Sequence, residues 1–339
     1  MLKKFLSRFL PVPARTTYRH YEEIIQRLTA IENKVGNRVE NKVGKSSIYD
    51  YHKSLKPYQY RRALEDWYKS RTGQKLDLDN PQTFNEKIQW LKLYDSTPLK
   101  TKLTDKYEVR EWIKEKIGEQ YLVPLLGVYN SFDDIDFDAL PDKFVLKCTH
   151  GSTWNLIVKD KNSIDYKKTR SNFEEWMSTD YSFKGLELHY KDMIPRIIAE
   201  QFIDGIDDLK DYKFLCFDGE VKYIWVDSTR YINHCRDLFD LEWTHLPVTI
   251  NSKYLNANTV PERPEALEKM IELAHILSQN FPFVRVDLYN VNEKIYFGEM
   301  TFTTGNGIEK IIPDEFALHL GDLINLPDEK NNKILYNGE

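Results

Sequence analysis

Two acidic residues, Asp287 and Glu299, sit in a stretch whose patterning would hold them side by side: FVRVDLYNVNEKIYFGEMTFTTGNG, residues 283–307. Apolar and polar residues alternate on both sides of Asn290-Val-Asn-Glu-Lys, which reads as a β-hairpin. Successive side chains of a strand point to opposite faces, so Val284, Val286 and Leu288 share one face and Arg285 and Asp287 the other. On the second arm Tyr296, Gly298, Met300 and Phe302 are expected opposite Phe297, Glu299, Thr301 and Thr303. A turn closing near Glu293 makes Asp287 and Glu299 direct cross-strand neighbours, roughly 5 Å apart. Carboxylates that close repel unless a proton, a cation or an arginine lies between them. Their oxygens suit magnesium, which takes one or two carboxylates and completes its shell with phosphate and water. A half-exposed hairpin in which Arg285 neutralises the acids is the other reading, and the hairpin alone leaves both open.

Other residues could act with this pair. Lys147 leaves the strand Phe144-Val-Leu-Lys into a loop containing Gly151 and Ser152. A lysine entering a small-residue loop can grip phosphate while backbone N–H groups close over it. The GxxxxGK[ST] order is missing, however, and a solvated strand lysine gives the same local pattern. Glu200 alternates with apolar neighbours in Ile197–Ile203 and either faces a cleft or sits on an exposed edge. Lys213, between Tyr212 and Phe214, has the same two readings. Arg230, His234 and Arg236 gather after a strand, where the arginines either fork onto a carboxylate or supply surface charge. Neither His150 nor His234 has the spaced partners of a nucleophilic triad, and no Cys/His cluster suggests zinc.

The elements that must position these residues can be traced from periodicity. Helices are expected over Tyr60–Arg71, stopped by Gly73, and from Thr83, an N-cap with Glu86 as its capping-box partner. A further helix is expected from Thr104 to Gly118. Strands follow at 122–128, 143–148 and 155–159, then a mostly helical 163–193, then strands at 196–203, 212–217 and 220–227. Asp218-Gly219 signals a type I′ turn. A helix over 266–279, the hairpin and a helix over 314–320 complete an α+β chain, not a parallel doubly wound sheet. Boundaries are expected at 1–56 (helical extension), 57–140 (helical/α+β), 141–204 (lid lobe), 205–328 (lobe with the metal site) and 329–339 (tail). Within the extension, Ile24, Leu28, Ile31 and Val35 form a stripe suited to a short coiled coil, hence a homo-oligomer contact, or to packing on the main body.

Of 339 residues, 41% are hydrophobic and 30% charged, and the net charge is −5. That balance argues against a dedicated nucleic-acid binder. Cys148, Cys216 and Cys235 have no ligand or disulfide spacing and fit a reducing compartment. No apolar run reaches 18 residues, so no transmembrane helix is expected. The basic opening MLKKFLSRFLPVPAR lacks a continuous apolar core for a signal peptide; it would rest on an anionic membrane surface or pack locally. The expected location is the cytoplasm, either free or at the inner face of the membrane.

In order along the chain, TDKYEVREWI, DKFVLKCTHGS, IIAEQFI, DYKFLCFDGEV, VRVDLY and FGEMTFTTGNG resemble the ATP-grasp superfamily. More closely they look like its TupA-like, polysaccharide-biosynthesis branch, over about residues 57–325. The resemblance implies an ATP-grasp fold: two α+β lobes enclosing a nucleotide cleft, here with an N-terminal helical extension, using ATP and Mg2+. By position, Lys106 and Lys147 match the lysines on the ATP phosphates, and His150–Thr153, with Gly151 and Ser152, match the covering loop. Glu200, Gln201, Phe202 and Ile203 match the hinge whose backbone reads adenine, and Asp211 matches a ribose contact. Asp287 and Glu299 match the magnesium acids, with Arg285 beside them facing the phosphates. Lys213 and Asn306 fall near the transferred phosphoryl group. Thr301 stands where the superfamily commonly has asparagine, and a hydroxyl is a weaker ligand. Gly151-Ser152-Thr153-Trp154 is stiffer than the Gly-Ser-Gly of related loops.

The implied reaction is ATP-dependent ligation of a carboxylate to an amine through an acyl-phosphate, in capsule, O-antigen or teichuronopeptide-like surface polysaccharide assembly. Arg230, Arg236 and His234 are then candidates for holding the acidic substrate, a uronic acid or amino acid. The amine would be an amino acid or other amino compound. A glycosyltransferase of a polysaccharide locus is the alternative, although the acidic pair of Asp136-Phe137-Asp138 lies in a surface-like run. A nucleotide-binding scaffold without turnover is a third reading.

Overall fold

The computed structural model describes residues 45–203, 210–228, 234–250 and 254–328. Contacts divide the chain into Met1–Lys53 and Ser54–Glu339. The described part of the first unit belongs to helix α1 (Lys45–Ser54). The stripe of Ile24, Leu28, Ile31 and Val35 lies outside the described residues, as does Arg230.

The second unit opens with helices α2 (Tyr60–Thr72) and α3 (Phe84–Tyr94). Gly73 ends α2 with a left-handed φ of 74°. Thr83 caps α3: its hydroxyl accepts from the Glu86 N–H, and the Glu86 carboxylate accepts from the Thr83 N–H. The single helix expected from Thr104 is instead two, α4 (Pro98–Thr104) and α5 (Val109–Lys116). The break has a physical cause. Asp105 adopts extended backbone, and its carboxylate accepts from the N–H groups of Tyr107 and Glu108 at 2.8 and 3.0 Å, offering the chain a turn in place of a helix.

Two antiparallel sheets follow. The smaller has strand order β1-β4-β2-β3, from β1 (Leu125–Tyr129), β2 (Phe144–Cys148), β3 (Asn155–Val158) and β4 (Ile197–Gln201). Between β3 and β4, helix α6 (Tyr166–Ser178) is shorter than the expected 163–193 helix. It stops because Thr179 turns extended and the Asp180 carboxylate captures the Ser182 N–H and hydroxyl. Two 3-10 turns, Tyr181–Lys184 and Leu188–Tyr190, take the remaining length.

The larger sheet has order β11-β10-β5-β6-β7-β8. Its strands are β5 (Asp211–Phe217), β6 (Glu220–Ser228), β7 (Cys235–Phe239), β8 (His245–Leu246), β10 (Phe283–Val291) and β11 (Lys294–Thr301). Asp218 and Gly219 both take positive φ, as the type I′ turn between β5 and β6 requires. A two-strand ladder joins β9 (Thr249–Ile250) to β12 (Ile311–Ile312). Helix α7 (Leu267–Ser278) lies on one face of the larger sheet. Its Leu267, Met270, Leu273, Ala274 and Leu277 recur at helical spacing and are buried against Val284, Val286 and Leu288. Burying each large apolar side chain stabilises by roughly 1.5–3 kcal/mol. The opposite face carries α2, α3 and helix α8 (Asp314–Asp322), with Trp67, Phe84 and Ile88 packed against Leu215, Phe217 and Phe283. The smaller sheet has its own core, with Phe144, Leu146, Trp154 and Phe173.

The hairpin departs from simple alternation at one place. Val291 pairs with Lys294 and Leu288 with Phe297, but Asp287 pairs with Glu299, so Gly298 is an extra residue in the second strand. Phe297 therefore shares the core with Met300, correcting the expectation that they oppose each other. The bulge keeps Phe297 inside while turning Glu299 to the other face.

Candidate active site

A cleft of about 500 Å³ separates the two sheets, lined from the smaller by Val145, Lys147 and Glu200 and from the larger by Lys213, Asp287 and Glu299. On the first wall Glu200 is the organising residue. One carboxylate oxygen accepts from Lys147 Nζ at 2.6 Å and the other from Arg110 Nη1 at 3.1 Å, while Arg110 Nη2 also donates to the Val123 carbonyl. Lys147 and Glu200 lie on neighbouring strands β2 and β4, and Arg110 reaches over from α5. Glu200 thus fixes two cations at the cleft.

Lys106 sits in the break between α4 and α5. Its Nζ donates to the Gly151 carbonyl at 2.6 Å and its N–H to the Thr149 carbonyl at 3.2 Å. Burial pushes its ammonium below its ordinary value, against the pull of Glu299. The loop it touches is anchored by Trp154, which is buried, stacked on Trp176 with ring centroids 6.5 Å apart, and edge-on to Tyr181 at 5.2 Å. His150 is also buried and contacts the Trp176 carbonyl through Nε2 at 3.1 Å; it does not line the cleft.

The second wall carries a row of alternating charge. Arg285 forks onto Asp287, with Nε–Oδ1 2.6 Å and Nη2–Oδ2 2.7 Å, and the same Nη2 reaches Glu299 Oε1 at 2.9 Å. Lys213, paired with Asp287 across β5 and β10, donates to Asp287 Oδ2 at 2.7 Å and Asp211 Oδ2 at 2.5 Å. Asp227 comes next, 3.9 Å from Lys213, and Arg236 forks onto it at 2.6 and 3.1 Å. Partial desolvation at the cleft wall works against charge on Glu299, but Arg285, Lys106 and Lys213 outweigh it and hold the carboxyl down at about 2. Burial likewise opposes charge on Asp227, and His234, Lys213 and Arg236 hold it well below the usual range.

Both readings of the hairpin acids therefore have a physical counterpart: Arg285 does neutralise them, and their oxygens still border the cleft. The Glu299 side chain is 42% exposed, against 2% for Asp287. Among the described residues no group of three or more His, Cys, Asp or Glu gathers that could hold a metal. Two oxygen-bearing acids, one facing a cleft, still fit magnesium, which draws the rest of its shell from phosphate and water. Thr301 donates its hydroxyl to Glu299 Oε1 at 2.9 Å and accepts from Arg285 Nη2 at 3.0 Å, so it braces this pair.

Lys106, Lys147, Ser152, Glu200, Gln201, Ile203, Asp211, Lys213, His234, Asp287 and Glu299 are brought together around the cleft. Arg285 and Thr301 lie against its acids without lining it. Gly151 touches it only through Lys106, and Phe202 packs under Lys143. Arg236 is bonded to Asp227, with Glu309 3.5 Å away, and its guanidinium lies between the rings of Trp225 and Tyr254. His234 sits 3.3 Å from Asp227 and packs on Tyr254. Asn306 lies in the turn that follows the hairpin, bonded to Lys92, and does not line the cleft. Arg110 and Asp227 were not singled out from sequence. Arg110 follows Lys106 by four residues, a spacing that a continuous helix would have put on one face.

A family model described as TupA-like ATPgrasp matches residues 86–325. The chain belongs to the TupA-like ATP-grasp family. A comparison with curated proteins finds no match. Among solved structures it is similar to an L-amino acid ligase from Bacillus licheniformis, at 14% identity and TM-score 0.42, over 73% of this chain and 56% of that one. It is also similar to D-alanine-D-alanine ligase from Helicobacter pylori, at 16% identity and TM-score 0.38, over 66% of this chain and 61% of that one. The ATP-grasp chain thus spans only about three fifths of the length of such ligases. Among the described residues, no helix is long and apolar enough to cross a membrane.

Proposed function

We propose that this ATP-grasp chain joins a carboxylate to an amine, through an acyl-phosphate, during assembly or modification of a bacterial surface polysaccharide. The observation that carries the reading is the placement of Lys106 and Lys147 with Glu299 around one cleft, cations from one wall and the exposed acid from the other. In this reading Asp287 and Glu299 hold magnesium, which supplies charge neutralisation at the phosphates when bound. Lys106 and Lys147 meet phosphate oxygens, and the 149–154 loop covers them. The backbone of Gln201–Ile203 meets adenine, with Val145 and Ile157 as an apolar wall, and Asp211 meets the ribose.

The chain's own work is then electrostatic. Lys213, locked by Asp287, presents fixed positive charge where negative charge grows as the carboxylate attacks phosphorus, and Arg285 fixes Asp287 and Glu299 beside it. No side-chain nucleophile is required. The saccharide role rests on the polysaccharide-biosynthesis branch that the motifs resemble, and a uronic acid is the carboxylate it favours. His234, beside Asp227, is the described candidate for meeting that acid. Phosphate release across a panel of amino acids and uronic-acid acceptors tests the reading. ADP formation requiring both a carboxylate and an amine supports it; turnover with nucleotide-sugars instead would replace it with sugar transfer.

A further inference from the structure

Behind the hairpin, Gly305, Asn306 and Gly307 form three consecutive left-handed residues, with φ of 55°, 57° and 64°. Asparagine tolerates that region and glycine has no Cβ to oppose it, but a run of three needs outside support. Helix α3 provides it. Gln89, fully buried, donates Nε2 to the carbonyls of both Asn306 and Gly307 at 2.8 Å. Lys92, also buried, donates Nζ to Asn306 Oδ1 at 2.5 Å and to Gln89 Oε1 at 2.9 Å, with the Trp67 ring 4.5 Å away. On the other side, a Cβ on Gly185 would lie 2.0 Å from Asn306 Nδ2.

The turn is therefore gripped from two sides. In a trans peptide the carbonyl and the following N–H point in opposite directions. With the Asn306 carbonyl drawn to Gln89, the Gly307 N–H is aimed away from α3. The turn is also tied to the cleft acids through Arg285, whose Nη1 lies 3.5 Å from the Thr304 hydroxyl, while the Thr303 hydroxyl donates to the buried Glu187 at 2.5 Å.

We propose that Gln89 and Lys92 are positioning residues that set the 304–307 turn, and through Thr304 the reach of Arg285, for the bond-forming half of the site. This rests on the ligase reading above for its kinetic consequence, though not for its structural one. Lys92→Met, Gln89→Met and Gly185→Ala attack the same turn from its two sides. The last sets one methyl group against the Asn306 amide and leaves Gln89 and Lys92 themselves unaltered.

Two measurements decide the matter: hydrogen exchange over residues 303–308, and steady-state kinetics. The expected result is faster exchange in 303–308 with β2 and β10 unchanged, a retained melting shift with Mg-ATP, and kcat lower by about a hundredfold at an unchanged KM for ATP. Unchanged exchange and turnover in Gly185→Ala and in whichever α3 variant folds would overturn the proposal. So would exchange that rises equally throughout the chain. If no carboxylate–amine pair yields ADP with the unaltered chain, the ligase reading fails, and the exchange pattern still decides whether α3 sets the turn.

Discussion

Asp287 lies directly across the hairpin from Glu299, and the pairing exists because Gly298 bulges out of the second strand. Counted from the Val291–Lys294 pair that closes the turn, an unbroken ladder would put Gly298 opposite Asp287 and send Glu299 into the core. One extra residue corrects this, and it is a glycine at a crowded point. A Cβ there would lie 3.0 Å from the Asp287 carbonyl and 3.2 Å from the Tyr289 ring.

Gly298→Val should therefore disturb the acid pair while leaving the core largely intact. The expected effect is Mg-ATP affinity lower by about tenfold, equivalent to about 1.4 kcal/mol, measured by calorimetry. Unaltered affinity would show that the bulge does not serve the acids.

Glu200 holds Arg110 and Lys147 together, and its removal leaves two cations facing each other. Breaking a fully buried pair costs about 3–5 kcal/mol. With Lys147 still 26% exposed, Glu200→Ala should cost less, about 2 kcal/mol in denaturant unfolding. A change near zero would mean that water replaces the carboxylate freely.

Lys106 links the α4–α5 break to the Gly151 carbonyl. Lys106→Met should free that loop and weaken ATP binding by about tenfold or more. Protease cleavage within 149–154 should rise in parallel. Tight ATP binding with an unaltered cleavage pattern would separate Lys106 from both roles.

His189 is buried, and burial, with the nearby Lys100 and Lys92, pushes its imidazole from 6.5 down to about 3. The unfolded chain therefore binds a proton that the folded chain refuses between those values, so stability falls as pH drops from about 6.5 toward 3. His189→Gln should flatten part of that fall in denaturant midpoints measured across the window. Parallel curves for the two proteins would contradict it.

Much of the cleft was legible because strand alternation is local. Arg285 and Asp287 share a face by simple counting, and the turn at 292–293 follows from its residues. The bulge was not legible, since it depends on Phe297 being worth more in the core than a regular ladder. The break at Asp105 and the early end of α6 were missed for a related reason. Asp105 and Asp180 divert the chain by capping turns, and periodicity does not register that competition. Partners far apart in sequence, such as Arg110 with Glu200 or Lys92 with Asn306, are fixed only by tertiary packing.

The proposed ligation depends on Glu299, the exposed acid of the cleft. ADP release by the full chain with Mg2+, an amine and a carboxylate, compared with Glu299→Gln, tests it most directly. The expected result is turnover that needs both substrates and falls by roughly a hundredfold or more in the variant. Near-unaltered turnover in Glu299→Gln, from a chain that is active without the substitution, would contradict it.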